Sequence, residues 1–475
     1  MFRYVIAELL VLLSEMPKLK QISSLESIAQ EALLDYVVQR CKQLGEPITV
    51  EEFYFRIARL KNILKDIPPI LFTYLKIYNK FLKKFYQDPR ETYAKCGNAP
   101  LAIIFDMNIP DLCCEGQVLA TLDRHNAPRL KSLKTLDLTY FPDTESKSLE
   151  RFQLQHITTL KLPTHCTLKH LRIIGQRCLR LRNLDVSNSK KVTDAGLTAL
   201  RKCSGLACVD ISGCKAVTRK GIKEFLSNHT GLKQIHLEWV ETDSTDPNEF
   251  VHPNIERLGI ASTRPLLDQH LRIIAERFPN LTSLKLNNCR CTGDLSLLIP
   301  LEQLTEFEFG RCCTFDFDSL SRLLATIGGR ITSLKILWYR EGLTQNDLNF
   351  IFSKCVNIEH FGFSYKPFRA SERLDIPTLP KLKTLECYLL QIYKRRKVEI
   401  IMNPMPELKQ ISYSGFSHTH QTIEAMILSG MNFPELAVIG INYEINDSQR
   451  MESLKDIVKA NNIDLIFENY VPPQP

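Results

Sequence analysis

The stretch "LRNLDVSNSKKVTDAGLTALRKC", Leu181–Cys203, decides how this chain folds. In its first six residues Leu184 and Val186 alternate with Asp185, the two-residue period of a strand with one apolar face. Thr193 stands where a helix N-cap belongs, and Leu197 and Leu200 share one face of the helix it opens. Strand, turn and helix together bury a single apolar side. One such unit cannot close a core alone, so it needs neighbours of the same kind.

The neighbours are present. The frame apolar-x-x-apolar-x-apolar begins at Leu133, Ile157, Leu181, Leu206, Leu232, Ile255, Leu281, Leu304, Ile331, Ile358, Leu382, Leu408 and Leu436, with successive starts 23 to 28 residues apart. Self-similarity at this period marks a stacked repeat array. Further helices follow at "LTQNDLNFIFSKC", with Leu343, Leu348 and Ile351 inward, and at "LDQHLRIIAERF", with Leu271 and Ile274 inward. The unit resembles a leucine-rich repeat. The expected fold is therefore α/β: a leucine-rich-repeat solenoid, a horseshoe of parallel strands inside and helices outside, preceded by a small all-α domain.

Two consecutive units are more specific. In "CLRLRNLDVSNSKKVTDAGLTAL" the residues are Cys178, Leu181, Leu184, Val186, Val192, Thr193 and Gly196; in "CSGLACVDISGCKAVTRKGIKEFL" they are Cys203, Leu206, Val209, Ile211, Cys214, Val217, Thr218 and Gly221. Both resemble the cysteine-containing leucine-rich repeat, although Asn188 and Ser189 stand near where the second unit has Cys214. The resemblance implies kinship with F-box/LRR proteins and related substrate receptors of ubiquitin ligases.

Bulk properties narrow the classes. The chain has 475 residues, 44% apolar and 24% charged, with 61 basic against 53 acidic residues and a net charge of +8. That mild bias does not suggest nucleic acid as a partner, although lysines interleave with aromatics in "KIYNKFLKKFYQ". No apolar run is long enough to cross a bilayer. The start "MFRYVIAELLVLLSEM" mimics a secretory signal, but Glu8 interrupts it and no small-residue cleavage site follows. Fifteen cysteines, many inside the repeats, point to reduced thiols packed as small hydrophobes in the cytoplasm or nucleus.

Residues ahead of the repeats read differently. "SSLESIAQEALLDYVVQRCKQL" places Leu25, Ile28, Ala32 and Tyr36 on one helical face, and "PPILFTYLKIYNKFLKKFYQ" adds a helix with Pro68 and Pro69 at its start. Within 24–33, Ser24, Leu25, Ala29 and Leu33 resemble the BC box by which some ligase receptors hold elongin C. Within 67–75, Ile67, Pro68, Leu71 and Leu75 resemble a cullin-2 box. The order resembles the Zyg/Zer group of receptors and implies elongin B/C and cullin-2 as partners. Two amphipathic helices packed on each other and on the first repeat would show the same spacing. "DIPPILFTYL" also faintly resembles the opening of an F-box, which would dock on Skp1 and cullin-1 instead. The expected division is 1–95 helical adaptor-binding domain, 96–130 repeat cap, 131–460 repeats, and 461–475 C-terminal cap and tail.

A ligand would meet the residues beside the strand leucines: Asp137, Asp185, Asp210, His236, Glu238, Lys285, Glu308, Lys335 and Tyr388. Trp239 and Trp338 follow their strands at the rim, either as recognition anchors or as covers over the core. Asp185, Asp210 and Glu238 suggest a surface that reads a basic peptide. Catalytic and cofactor readings find no support. There is no phosphate-cradling Gly-rich loop, no nucleophile motif, and no cysteine or histidine pattern at metal spacing. The expectation is a non-enzymatic substrate-recognition subunit of a cullin-RING ubiquitin ligase, without metal or cofactor. Its alternatives are a leucine-rich-repeat scaffold or inhibitor with no ubiquitin role, and a Skp1-binding receptor.

Overall fold

The structure is a computed structural model that describes residues 111–113, 133–139, 149, 154–238, 251–262, 264–309, 314–337, 342–369, 371–389, 397–414, 424, 433–441, 456 and 466–469. The chain forms two compact units, Met1–Leu184 and Asp185–Pro475. In the first, β1 (Asp111–Cys113), β2 (Thr135–Asp137) and β3 (Thr159–Lys161) pair in parallel, with Leu112 opposite Leu136 and Leu136 opposite Leu160. Helix α1 (Leu168–Arg177) packs its buried Leu171 and Ile174 inward. Its start is tied down by the Thr167 amide, which donates to His170 Nδ1 at 3.2 Å. Strand β4 (Asn183–Asp185) carries the boundary between the units.

The second unit takes up the repeats with α2 (Asp194–Ala199), β5 (Cys208–Ile211), α3 (Arg219–Asn228), β6 (Gln234–Glu238) and β7 (Arg257–Ala261). A two-residue strand β8 (Pro265–Leu266) and helix α4 (Asp268–Arg277) precede β9 (Ser283–Asn287), and a second short strand, β10 (Arg290–Cys291), follows it. Next come β11 (Glu306–Phe309), α5 (Phe317–Ile327), β12 (Ser333–Ile336), α6 (Gln345–Lys354) and β13 (His360–Tyr365). The remaining strands are β14 (Ser371–Ile376), β15 (Thr384–Leu389), β16 (Lys397–Met402), β17 (Gln410–Ser414), β18 (Val438–Ile441) and β19 (Ile466–Asn469).

One parallel sheet runs β5-β6-β7-β9-β11-β12-β13-β15-β17-β18-β19, each strand in register with the next. Its inward row is Val209, Ile235, Leu258, Leu284, Phe307, Leu334, Phe361, Leu385, Ile411 and Ile439, every member 2% exposed or less. Burying such a side chain is worth about 1.5–3 kcal/mol, and this row forms the continuous core. From Ile157 onward, the residue that opens each described repeat closes a tight turn by donating its amide to the carbonyl three residues back, as in Leu206 to Cys203 and Ile358 to Cys355. The next two amides share one carbonyl of the preceding repeat: Lys233 and Gln234 both donate to Ala207 O at 2.9 Å. Asparagines just before the opening residue add a side-chain rung: Asn280 donates to Pro253 O at 2.9 Å and Asn357 to Gly329 O at 2.6 Å. These features together are those of a leucine-rich-repeat solenoid.

Among the described residues of the second unit the connections through α6 are helical as the 3.6-residue spacing predicts, except that a 3₁₀ turn, Leu295–Leu298, stands in place of an α-helix between β9 and β11. Leu348 and Ile351 of α6 are fully buried, and Thr344 and Asp347 form its capping box. Beyond β13 the expectation of outer helices fails in two repeats, where β14 and β16 pair in parallel instead. The cause is local. Leu374 and Ile376 are buried while Arg373 and Asp375 face out, a two-residue alternation that a helix cannot satisfy, and Pro377 and Pro380 follow. Eight of the nine cysteines whose burial is described are buried, and Cys208 is half-buried. His229 takes the slot that Cys178, Cys203 and Cys355 occupy elsewhere, with its ring nitrogens 2.8 Å from Phe225 O and 3.2 Å from Leu200 O.

Candidate functional site

The strand alternation that buries the leucine row turns the intervening residues onto the open face of the sheet. In the second unit, register aligns Asp210, His236, Gly259, Lys285, Glu308, Lys335, Gly362 and Glu386 in one line across eight strands. Most of these charges are answered within the line. Lys285 pairs with Glu308 at 2.6 Å, and Lys335 reaches past side-chain-free Gly362 to Glu386 at 2.6 Å. In the row beside it Arg257 reaches across Ser283 to Glu306 at 3.1 Å.

The acids that open the face serve first as turn formers. Asp185 accepts the Ser187 amide at 3.0 Å, and Asp210 accepts the amide and hydroxyl of Ser212 at 2.9 and 2.6 Å. In the first unit Asp137 does the same for Thr139, at 3.0 and 2.6 Å. Asp210 also takes a hydrogen bond from His236 Nδ1 at 3.2 Å. The Gln234 amide nitrogen lies 3.1 Å from His236 Nε2, so Nε2 accepts there and Nδ1 carries the proton. Burial by itself pushes the Asp210 carboxyl up, but the bonds from His236 and Ser212 outweigh it and hold that carboxyl below the ordinary aspartate value.

At this place the face sinks into a groove of about 480 Å³. Gly259, Ile260 and Ala261 of β7 line its floor, with His236 and Glu238 on the β6 side and Lys285 and Asn287 on the β9 side. The turns beyond the strands close one end with Asn188, Gly213 and Asn288, all three in the left-handed backbone region. That conformation suits glycine and asparagine, and each of the three stands at the same place in its repeat. The His236 ring fills the space above Gly259, where a Cβ would lie 2.5 Å from His236 Cδ2. Among the described residues no three His, Cys, Asp or Glu side chains converge as a metal site would require.

Of the residues singled out in the sequence, the structure gathers Asp210, His236, Glu238, Lys285 and Glu308 in the groove and leaves Asp185 out of its lining. Tyr388 shares the outward parity but is 3% exposed, with its hydroxyl donating to Glu386 at 3.1 Å. Trp239, Trp338, the pattern Ser24 to Leu33 and the pattern Ile67 to Leu75 lie outside the described residues. Sequence reasoning missed Asn188, Gly213, Gly259, Asn287 and Asn288. The recurrent Asn or Gly four residues after the central strand leucine was a visible signal for the turn positions. Gly259 had one too, as a glycine, like Gly362, in the mostly charged outward row.

No known protein-family model matches the chain. F-box/LRR-repeat protein 9 of Arabidopsis thaliana is 27% identical over 110 residues, which is 23% of this chain and 35% of that protein. The chain thus spans about a third of that relative's length. Among solved structures, the Rad7 and Elc1 complex of yeast covers 80% of this chain and 94% of the matched chain, at 13% identity and a TM-score of 0.38. A Leptospira interrogans LRR protein covers 76% and 93%, at 11% identity and a TM-score of 0.29. The leucine-rich repeat-containing protein LegL7 from Legionella pneumophila covers 72% and 94%, at 12% identity and a TM-score of 0.31.

Proposed function

We propose that this chain is the substrate-recognition subunit of a cullin-RING ubiquitin ligase, docking through its N-terminal helices and capturing a protein substrate on the open face of its second repeat unit. The observation that carries the recognition half is the groove over β7. It is a recess of about 480 Å³, lined by charged and amide side chains around an apolar floor, on a sheet whose backbone is tied strand to strand, so its walls are preorganised for a partner. The ligase half rests on the cysteine-containing repeats, on the curated relative described as an F-box/LRR-repeat protein, and on the BC-box-like and cullin-box-like patterns. The buried cysteines, packed as small hydrophobes within the repeats, fit work in the cytoplasm or nucleus.

Affinity capture of the full chain from cell extract, read by mass spectrometry, tests the ligase half. Recovery of elongins B and C with cullin-2, lost when Leu25 and Ala29 are both changed to Asp, is the expected result. Elongin recovery that survives those changes contradicts the BC-box assignment. A second reading, docking on Skp1 with cullin-1, is favoured by the F-box/LRR relative and by "DIPPILFTYL". Recovery of Skp1 and cullin-1 selects it. Recovery of neither adaptor overturns the ligase role and leaves an interaction scaffold.

A further inference from the structure

We infer that the groove over β7 accepts a lysine or arginine side chain from an extended protein segment, with Glu238 as its counter-ion. The inference rests on the open face being the recognition surface, and it does not depend on which adaptor the chain uses. The groove lining carries three carboxylates, Asp210, Glu238 and Glu308, against one ammonium, Lys285. Their internal pairings are unequal. Lys285 is taken by Glu308 at 2.6 Å, and Asp210 is taken by His236 and Ser212. Among the described residues Glu238 accepts the Gly213 amide, at 3.3 Å, and no cationic side chain pairs with it.

Register supplies the space. Glu238 lies opposite Ala261, and Ala261 lies opposite Asn287, so the two polar residues face each other across a strand that presents only a methyl group. At the usual inter-strand spacing this separates their backbones by about 10 Å, enough for one ammonium or guanidinium between them. Such a head group would meet the Glu238 carboxylate on one side and the Asn287 amide oxygen on the other. An anionic ligand would face a net negative lining whose sole ammonium is already engaged. The carboxylates also do not converge as a divalent cation requires.

The test uses the full chain on an array of acetylated nonapeptides with a central Lys, Arg, Gln or Glu and degenerate small flanking residues. Lys and Arg peptides are expected to bind about fivefold or more above Gln peptides, with the preference fading as salt is raised. Glu238→Gln keeps an acceptor for the Gly213 amide and is expected to abolish the preference. Lys285→Gln releases Glu308 and is expected to strengthen it, an opposite sign that simple misfolding would not produce. Equal binding of Gln and basic peptides, preference for Glu, no binding at all, or a basic preference that survives Glu238→Gln each overturns the inference. A chain that recovers adaptors but shows no basic preference fails here alone, and one that selects basic peptides without adaptors fails only the ligase role.

Discussion

Gly221 stands in the first turn of α3, where replacing glycine by alanine ordinarily stabilises a helix by about 1 kcal/mol. The contact between repeats should reverse that sign. A Cβ at Gly221 would lie 2.9 Å from Asp194 Cβ and nearer still to the Asp194 carboxylate. That carboxylate accepts the Thr218 amide at 2.7 Å and the Thr218 hydroxyl at 2.5 Å, while Thr218 Oγ1 accepts the Gly221 amide at 3.3 Å. Together these bonds fasten the cap of α3 to the start of α2. Turning Asp194 away loses two bonds to a charged acceptor, about 1–1.5 kcal/mol each at so exposed a site. Set against the helix gain, Gly221→Ala is expected to destabilise by about 1–2 kcal/mol. Urea denaturation followed by circular dichroism should show a lowered midpoint. In an Asp194→Ala background the two bonds are already gone, and the same change should cost about 2–3 kcal/mol less and so become neutral or stabilising. A midpoint raised by Gly221→Ala with Asp194 intact would refute the contact.

Two further outcomes are expected. The Asp210 carboxyl is held below its ordinary value in the fold, so its bonds contribute fully above about pH 4, the unfolded value, and are lost as pH falls through the lower native one. Asp210→Asn should therefore lower the urea midpoint at pH 7, and the gap to wild type should shrink as pH falls below about 4; a gap that widens in acid contradicts the pairing. Burial pushes the Cys203 and Cys214 thiols up to about 11 and Cys355 up to about 12. At pH 8 roughly one in a thousand of the first two is thiolate, so iodoacetamide mapping should label all three only after denaturation. Rapid labelling of Cys203 in the native chain would count against its burial.

The core was legible because its signal is local. Leu184, Val209 and Leu284 were placed inward by alternation within six residues, and no distant partner was needed to say so. Outer helices were legible where the periodicity was clear, as at Gln345–Lys354 with Leu348 and Ile351 inward. They were misjudged at Leu374 to Ile376, where a repeat-wide expectation was carried past a stretch whose own alternation said strand. The candidate site was read less well. Asp185, Asp210 and Glu238 looked equivalent as acids on one face, yet two are bound into turns and one of those also into an imidazole pair.

Read along the chain, the roughly 25-residue period already specifies a leucine-rich-repeat stack, because burial within each unit depends on neighbours two or three positions away. Which acids remain available for a partner does not follow from that period. It depends on groups about one repeat apart, 26 residues from Asp210 to His236 and 25 from Gly213 to Glu238, that become neighbours only when the strands settle into register. Register turns a periodic polar row into a line of self-neutralised pairs, and it leaves Glu238 facing Asn287 across the bare floor of β7.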